Sequence, residues 1–238
     1  MMTGVNGMPE LLGAVGGVIG TVIGDFSQRQ LSPTEVERIE AVFQIAAPII
    51  ETKLKDGQQI RQDDFFAGST YARSSGEEIL EGVLQKVRNT YEDRKAGHFA
   101  KFWANIIFAN TYSRHEANYL LALVESLTYN ELVLLRVLAS PSDFNLADID
   151  YHLVKVVHPD TRLMAHSINR LANLNLIRMQ VPGEINGRMI LGTDLIHPSY
   201  LLLDIGGERL YRIFDLASIP DEDAHNTALW ISKDKIRG

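Results

Sequence analysis

The chain has 238 residues, 45% of them hydrophobic and 22% charged, which is length and apolar content enough to bury a core without disulfides or metal. It contains no cysteine, which excludes disulfide frameworks, zinc ribbons, iron–sulfur clusters and thiol nucleophiles together and suits a reducing, cytoplasmic compartment. A formal net charge of −7 sets no attractive field for a polyanion, so nucleic-acid binding would need a local basic patch.

Residues 11–23 form an apolar run with no charge between Glu10 and Asp25. The first basic residue, Arg29, follows the run, which is the wrong side for a secretory signal. A bilayer needs about 20 apolar residues, so a packed or peripheral segment is expected, with peripheral membrane contact through 11–23 as the alternative. Within the run Gly13 and Gly17, and Gly16, Gly20 and Gly24, fall four apart. On a helix this spacing makes a flat stripe that another helix can approach closely. Glycine costs about 1 kcal/mol against alanine in a helix interior, so the segment needs a partner surface to stay helical. These five glycines are the candidate association surface, packing within the domain or joining copies of the chain into a homo-oligomer.

Ser32-Pro33-Thr34-Glu35 reads as a helix start, with a capping hydroxyl, proline at the first helical position and an acid in the first turn. The helix carries Val36, Ile39, Val42 and Phe43, and Pro48 is expected to kink or stop it. Residues 53–76 are polar and read as a loop with short helical pieces. Ser74 opens the next helix, with Ile79, Leu80, Val83, Leu84 and Val87 at helical spacing. A second stripe, Phe99, Phe102, Trp103, Ile106 and Ile107, is offset from the first around Ala96-Gly97, where a bend or a break is expected. Residues 119–127 make a further apolar segment. Arg88, Arg94, Lys95 and Lys101 lie near Glu92 and Asp93 and read as a solvated, self-compensating face.

The last third has a different rhythm. Thr128 caps a helix with Leu132, Leu135 and Leu138, Pro141 breaks it, 146–154 reads as a second short helix, and Pro159 starts a third. Residues 177–181 read as a strand with 189–191 as its partner, because Asn186-Gly187 between them is a type I′ hairpin signal. Residues 200–203 suit a further strand, and Gly207 precedes a helix carrying Leu210, Ile213 and Phe214. The expected fold is thus mainly α, a helical N-terminal domain followed by a winged-helix-like module with an α/β hairpin. The expected divisions are 1–31 for the glycine-rich segment, 32–127 for the helical domain, 128–218 for the module and 219–238 for a polar tail.

No catalytic constellation emerges. The seven histidines include no pair at i, i+4 with a glutamate between. The glycine run lacks the Lys-Ser/Thr that completes a phosphate loop, and Ser75 and Ser199 sit in no nucleophile elbow. No catalytic, metal or cofactor site is expected. Nucleic-acid binding is the activity the expected fold itself suggests, because the third helix of a winged helix can enter a major groove. That helix offers Arg162, His166, Asn169, Arg170 and Asn173, and the wing offers Arg188. Over residues 128–218, however, eight Lys and Arg face ten Asp and Glu, which disfavours DNA as the partner.

The strings GHFAKFWANIIFAN, LVESLTYNELVLLRVLA, INRLANLNLIRM and IGGERLYRIFDL together resemble the Abi-alpha family over residues 77–216. Leu127-Thr128-Tyr129-Asn130-Glu131 stands at the family's leucine-serine helix start. Asn175 stands where the family's turn has glycine, a departure that αL geometry accommodates because asparagine also accepts it. The resemblance implies abortive infection, a bacterial defence against phage, and carries over no catalytic residue. Two functional expectations follow: a non-enzymatic interaction protein with a protein partner or self-association, and, as the alternative, a winged-helix DNA-binding regulator.

Overall fold

A computed structural model describes residues 8–68, 72–147, 159–180 and 197–232 of the protein. Its described residues are mainly helical, with one two-stranded antiparallel sheet. The chain divides into two compact units, Met1–Ser126 and Leu127–Gly238.

The first unit holds α1 (Met8–Ser27), α2 (Pro33–Lys55), α3 (Ser75–Asn89), α4 (Asp93–Ile106) and α5 (Arg114–Ser126). Helix α3 is its centre. Ser74 and Glu77 close a capping box at its start, so two of the orphan N–H groups are satisfied before the helix begins. Ile79, Leu80, Val83, Leu84 and Val87 are completely buried among α1, α2, α4 and α5. The polar positions of α3 are tied to the same neighbours: Arg88 to Glu35 of α2 at 2.5 Å, Lys86 to Glu125 of α5 at 2.5 Å, and Glu78 to Arg114 of α5.

Three expectations change here. The break between the two apolar stripes lies at residues 90–92, where Thr90 turns extended. Gly97 sits inside α4 on the side of α2, where a Cβ would meet Ile45 at an ordinary 3.8 Å. Pro48 does not stop α2, which runs on to Lys55. Proline removes the N–H that residue 44 would receive, but Gln44 and Pro48 are both exposed, so water can serve that carbonyl. Finally, Lys95 is not on a solvated face. It is buried, and its ammonium donates to the carbonyl of Glu125 at 2.9 Å, capping the end of α5.

The polar stretch after α2 is a loop with a short 3-10 turn at Asp64–Phe66, but it is pinned from within. Arg61 is buried; its guanidinium pairs with Asp63, donates to the carbonyls of Ile106 at 3.4 Å and Tyr112 at 3.1 Å, and lies 4.1 Å over the Phe65 ring. The loop thereby supplies donors to the open C-terminal end of α4.

In the second unit α6 (Tyr129–Ala139) is the buried axis, opened by a Thr128–Glu131 capping box. Around it lie α7 (Pro159–Asn173), β1 (Ile177–Met179), β2 (Leu201–Leu203), α8 (Ile205–Ile213) and α9 (Asp221–Leu229). Helix α7 ends in a Schellman motif: Leu176 N–H bonds to Leu171 C=O at 3.0 Å and Asn175 N–H to Ala172 C=O at 2.9 Å, with Asn175 at φ 55°. The αL asparagine is the geometry expected of that position. It turns the chain directly into β1, which pairs with β2 in the register Ile177 to Leu203, Arg178 to Leu202 and Met179 to Leu201. Residues 200–203 therefore do contribute a strand. The Asn186-Gly187 hairpin and the 189–191 strand lie outside the described residues.

Asp204 then caps α8 by accepting from Ile205 N–H. The first turn of α8 presses onto the Schellman turn so closely that a Cβ on Gly207 would overlap the carbonyl oxygen of Leu176. Glycine is required there for close backbone approach.

The start of the expected 146–154 helix is extended instead. Leu146 bridges Ser232, Ala147 N–H bonds to Ile231 C=O at 2.9 Å, and residues 148–154 lie outside the described set. The residues after Pro220 are a helix rather than a polar tail. Helix α9 packs on α6 through the small residues Ala224, Thr227 and Ala228, and Ile231 is fully buried behind it.

Candidate functional site

Helix α1 has two distinct faces. Val15, Val18, Val22 and Phe26 recur at spacings of three and four, are buried, and lie on the side that meets α3. Gly13, Gly16, Gly17 and Gly20 lie on the exposed side and Gly24 at its margin. Among the described residues nothing comes within 4 Å of where a Cβ on any of the five would sit. Branched apolar residues dock α1, and among the described residues nothing packs against the glycines on its other side. Among the described residues no helix is long and apolar enough to cross a membrane.

The C-terminal end of α1 is fastened by charge as well. Asp25 pairs with Arg73 at 2.8 Å, Arg29 with Glu81 of α3 at 2.6 Å, and Arg73 also with Glu81. The Arg29 guanidinium lies 4.2 Å over the Phe26 ring. Burial raises the Glu81 pKa, but the hydrogen bond from Arg29 and the charges of Arg73 and Arg29 outweigh it, leaving the carboxyl below its usual range.

Among the described residues, those expected to read nucleic acid do not all stand on one exposed face. Arg162, His166 and Asn173 of α7 are exposed and Asn169 is half-buried. Arg170, however, bonds at 2.6 Å to Glu131, a carboxylate only 3% exposed that also accepts from the N–H of Thr128 at 2.8 Å and its hydroxyl at 3.2 Å. Arg170 thus fastens α7 to the start of α6. Beside Arg162 stands Leu163, 64% exposed, and Arg188 lies outside the described residues. Glu131 was visible in the sequence as half of a capping box, but nothing there shows that its remaining lone pairs take a guanidinium 39 residues away.

Among the described residues no three His, Cys, Asp or Glu side chains gather in a way that could hold a metal ion. No family model, curated protein or solved structure matches the chain.

Proposed function

We propose that this is a non-enzymatic interaction protein that self-associates through the glycine face of α1. The observation that carries the reading is the two-sidedness of that helix: one side is docked by Val15, Val18, Val22 and Phe26, while Gly13, Gly16, Gly17 and Gly20 stand open on the other. Five glycines in a 20-residue helix weaken it by about 1 kcal/mol each, a burden the first unit does not recover by packing over them. A second copy of α1 laid along the stripe would recover it, because glycine lets two backbones approach and no charge interrupts the stripe between Glu10 and Asp25.

The second unit fits this reading as a contact module. Among the described residues its order of helix, helix, strand, strand, helix, helix supports a small helical module with a β ribbon, and Arg170, a cation of the helix expected to read DNA, is paired with Glu131. The DNA-regulator alternative has correspondingly less support. A role in abortive infection is the setting that the motif resemblance implies.

The test is the mass of the protein in solution across a dilution series. Wild-type protein is expected to be oligomeric and Gly17→Leu or Gly20→Leu to dissociate it, with melting temperatures no lower than wild type at dilutions where all are monomeric, since among the described residues nothing lies within 4 Å of a Cβ at either position. A monomeric wild type would end the self-association reading. Flotation of wild-type protein with liposomes would assign the face to a membrane surface instead.

A further inference from the structure

On the second unit, the end of α6, the outward face of the β ribbon and α8 enclose a hollow of about 290 Å³. Leu138, Ala139 and Leu202 contribute its apolar lining. Its rim carries Arg178 and Arg212, with Tyr211 and Glu208 beside them. Strand register explains the mixture: Ile177, Met179, Leu201 and Leu203 point into the core, so the paired Arg178 and Leu202 point outward together. Among the described residues Arg178 has no acidic partner, and Arg212 has only Glu208, one helical turn away at 3.5 Å with both side chains largely exposed. Two guanidinium groups therefore border one hollow with apolar lining, in a chain whose net charge is −7.

We propose that this hollow binds an acidic segment of a partner protein, seating an aliphatic side chain on Leu138, Ala139 and Leu202 and a neighbouring carboxylate between Arg178 and Arg212. The volume is at the small end for ligand pockets, which start at roughly 300 Å³, and suits one side chain with the carboxylate next to it. Guanidinium groups match carboxylates in bidentate geometry, and the attraction is strengthened where an apolar lining displaces water. A nucleic-acid backbone is a poorer occupant, because it offers that lining nothing apolar and brings repeated negative charge up to Glu208. The inference rests on the reading of the chain as an interaction protein but uses a surface other than α1, so a protein that proves monomeric can still bind here.

The experiment is a nuclear magnetic resonance titration of the full chain with acetyl-Leu-Glu-amide and with its neutral counterpart acetyl-Leu-Gln-amide. Saturable shifts of the Leu202, Tyr211 and Arg212 amides are expected with the glutamate peptide, with affinity about tenfold lower for the glutamine peptide, one unit of log Kd for the lost charge-assisted pair. Arg178→Gln and Arg212→Gln, both at solvent-facing positions, should each erase that preference, and Arg178→Lys should keep part of it. No saturable shift at those amides, equal affinity for the two peptides, or a preference that survives both glutamine variants would overturn the proposal.

Discussion

Gly207 and Gly20 are chemically the same residue in helices of the same protein, and adding one methyl group to each should have opposite effects. At Gly207 the new Cβ would overlap the Leu176 carbonyl oxygen, a backbone atom that cannot swing aside, so α8 or the Schellman turn must shift. Gly207→Ala is expected to cost about 1–3 kcal/mol, the usual overpacking penalty. Within its own chain the Cβ at Gly20 meets nothing among the described residues, so at dilutions where the protein is monomeric Gly20→Ala should stabilise by up to about 1 kcal/mol through helix propensity alone. Urea midpoints of the two variants check both signs, and a midpoint for Gly207→Ala at or above wild type would remove the close-approach argument. Glu35 supplies a third residue-scale expectation. The Ser32 N–H, then the Arg88 guanidinium, hold its carboxyl at about 2, against 4.5 when unperturbed. A folded pKa below the unfolded one contributes stability that is present in full above about 4.5 and lost as the pH falls toward 2. Glu35→Gln should therefore lower the urea midpoint at neutral pH and flatten its decline between those limits. An unchanged acid limb would show that the capping box and the Arg88 pair do not distinguish folded from unfolded protein.

Helix α1 is the element with the weakest claim to be helical alone and the most specific fastenings. Its four buried side chains and the Asp25–Arg73–Glu81–Arg29 chain of charges hold it on the first unit from one side. Val18→Asp would place an unpaired charge in the docked face, so α1 amides should exchange hydrogen rapidly while those of α3 stay protected. Arg73→Ala should speed α1 exchange to a lesser degree, more so in low salt where the wild-type network is strongest. Equal protection in wild type and Val18→Asp would mean that the valine face is not what docks the helix. The elements legible in the sequence were those with local signals: Ser32, Ser74 and Thr128 each open a helix with a capping box in which donor and acceptor are three residues apart. Helix α9 lacked such a signal because it buries Ala224, Thr227 and Ala228, residues too small or too polar to draw an apolar stripe. The end of α3 at Thr90 lacks a glycine or proline to mark it, whereas Gly97 looks like a break yet lies inside α4, because a single glycine lowers helix propensity without ending a helix whose other side chains are buried. The anchoring of the loop after α2 is not legible in the sequence because the carbonyls that Arg61 serves, those of Ile106 and Tyr112, are far along the chain.

At the scale of the whole molecule, spacing placed the five glycines on a stripe but could not say what the stripe faces, since periodicity describes a helix surface and not its neighbours. The same gap governs α7: its polar residues share a face by spacing, yet Arg170 is taken by Glu131 from α6. Long-range charge bears on the nucleic-acid alternative. Lys and Arg number 23 against 30 Asp and Glu, and every phosphate contact adds to salt-sensitive affinity only if a cation is free to make it. On α7 the exposed cation among the described positions is Arg162, with Leu163 exposed beside it. The full chain is therefore expected not to retain duplex DNA near physiological salt in a mobility-shift assay. Arg162→Ala is the informative variant, because Arg170→Ala would also strip a partner from the buried Glu131 and lower stability. Submicromolar binding that falls with Arg162→Ala, and whose logarithm declines steeply with the logarithm of salt concentration, would reverse the order of the two functional readings and make α7 the nucleic-acid surface.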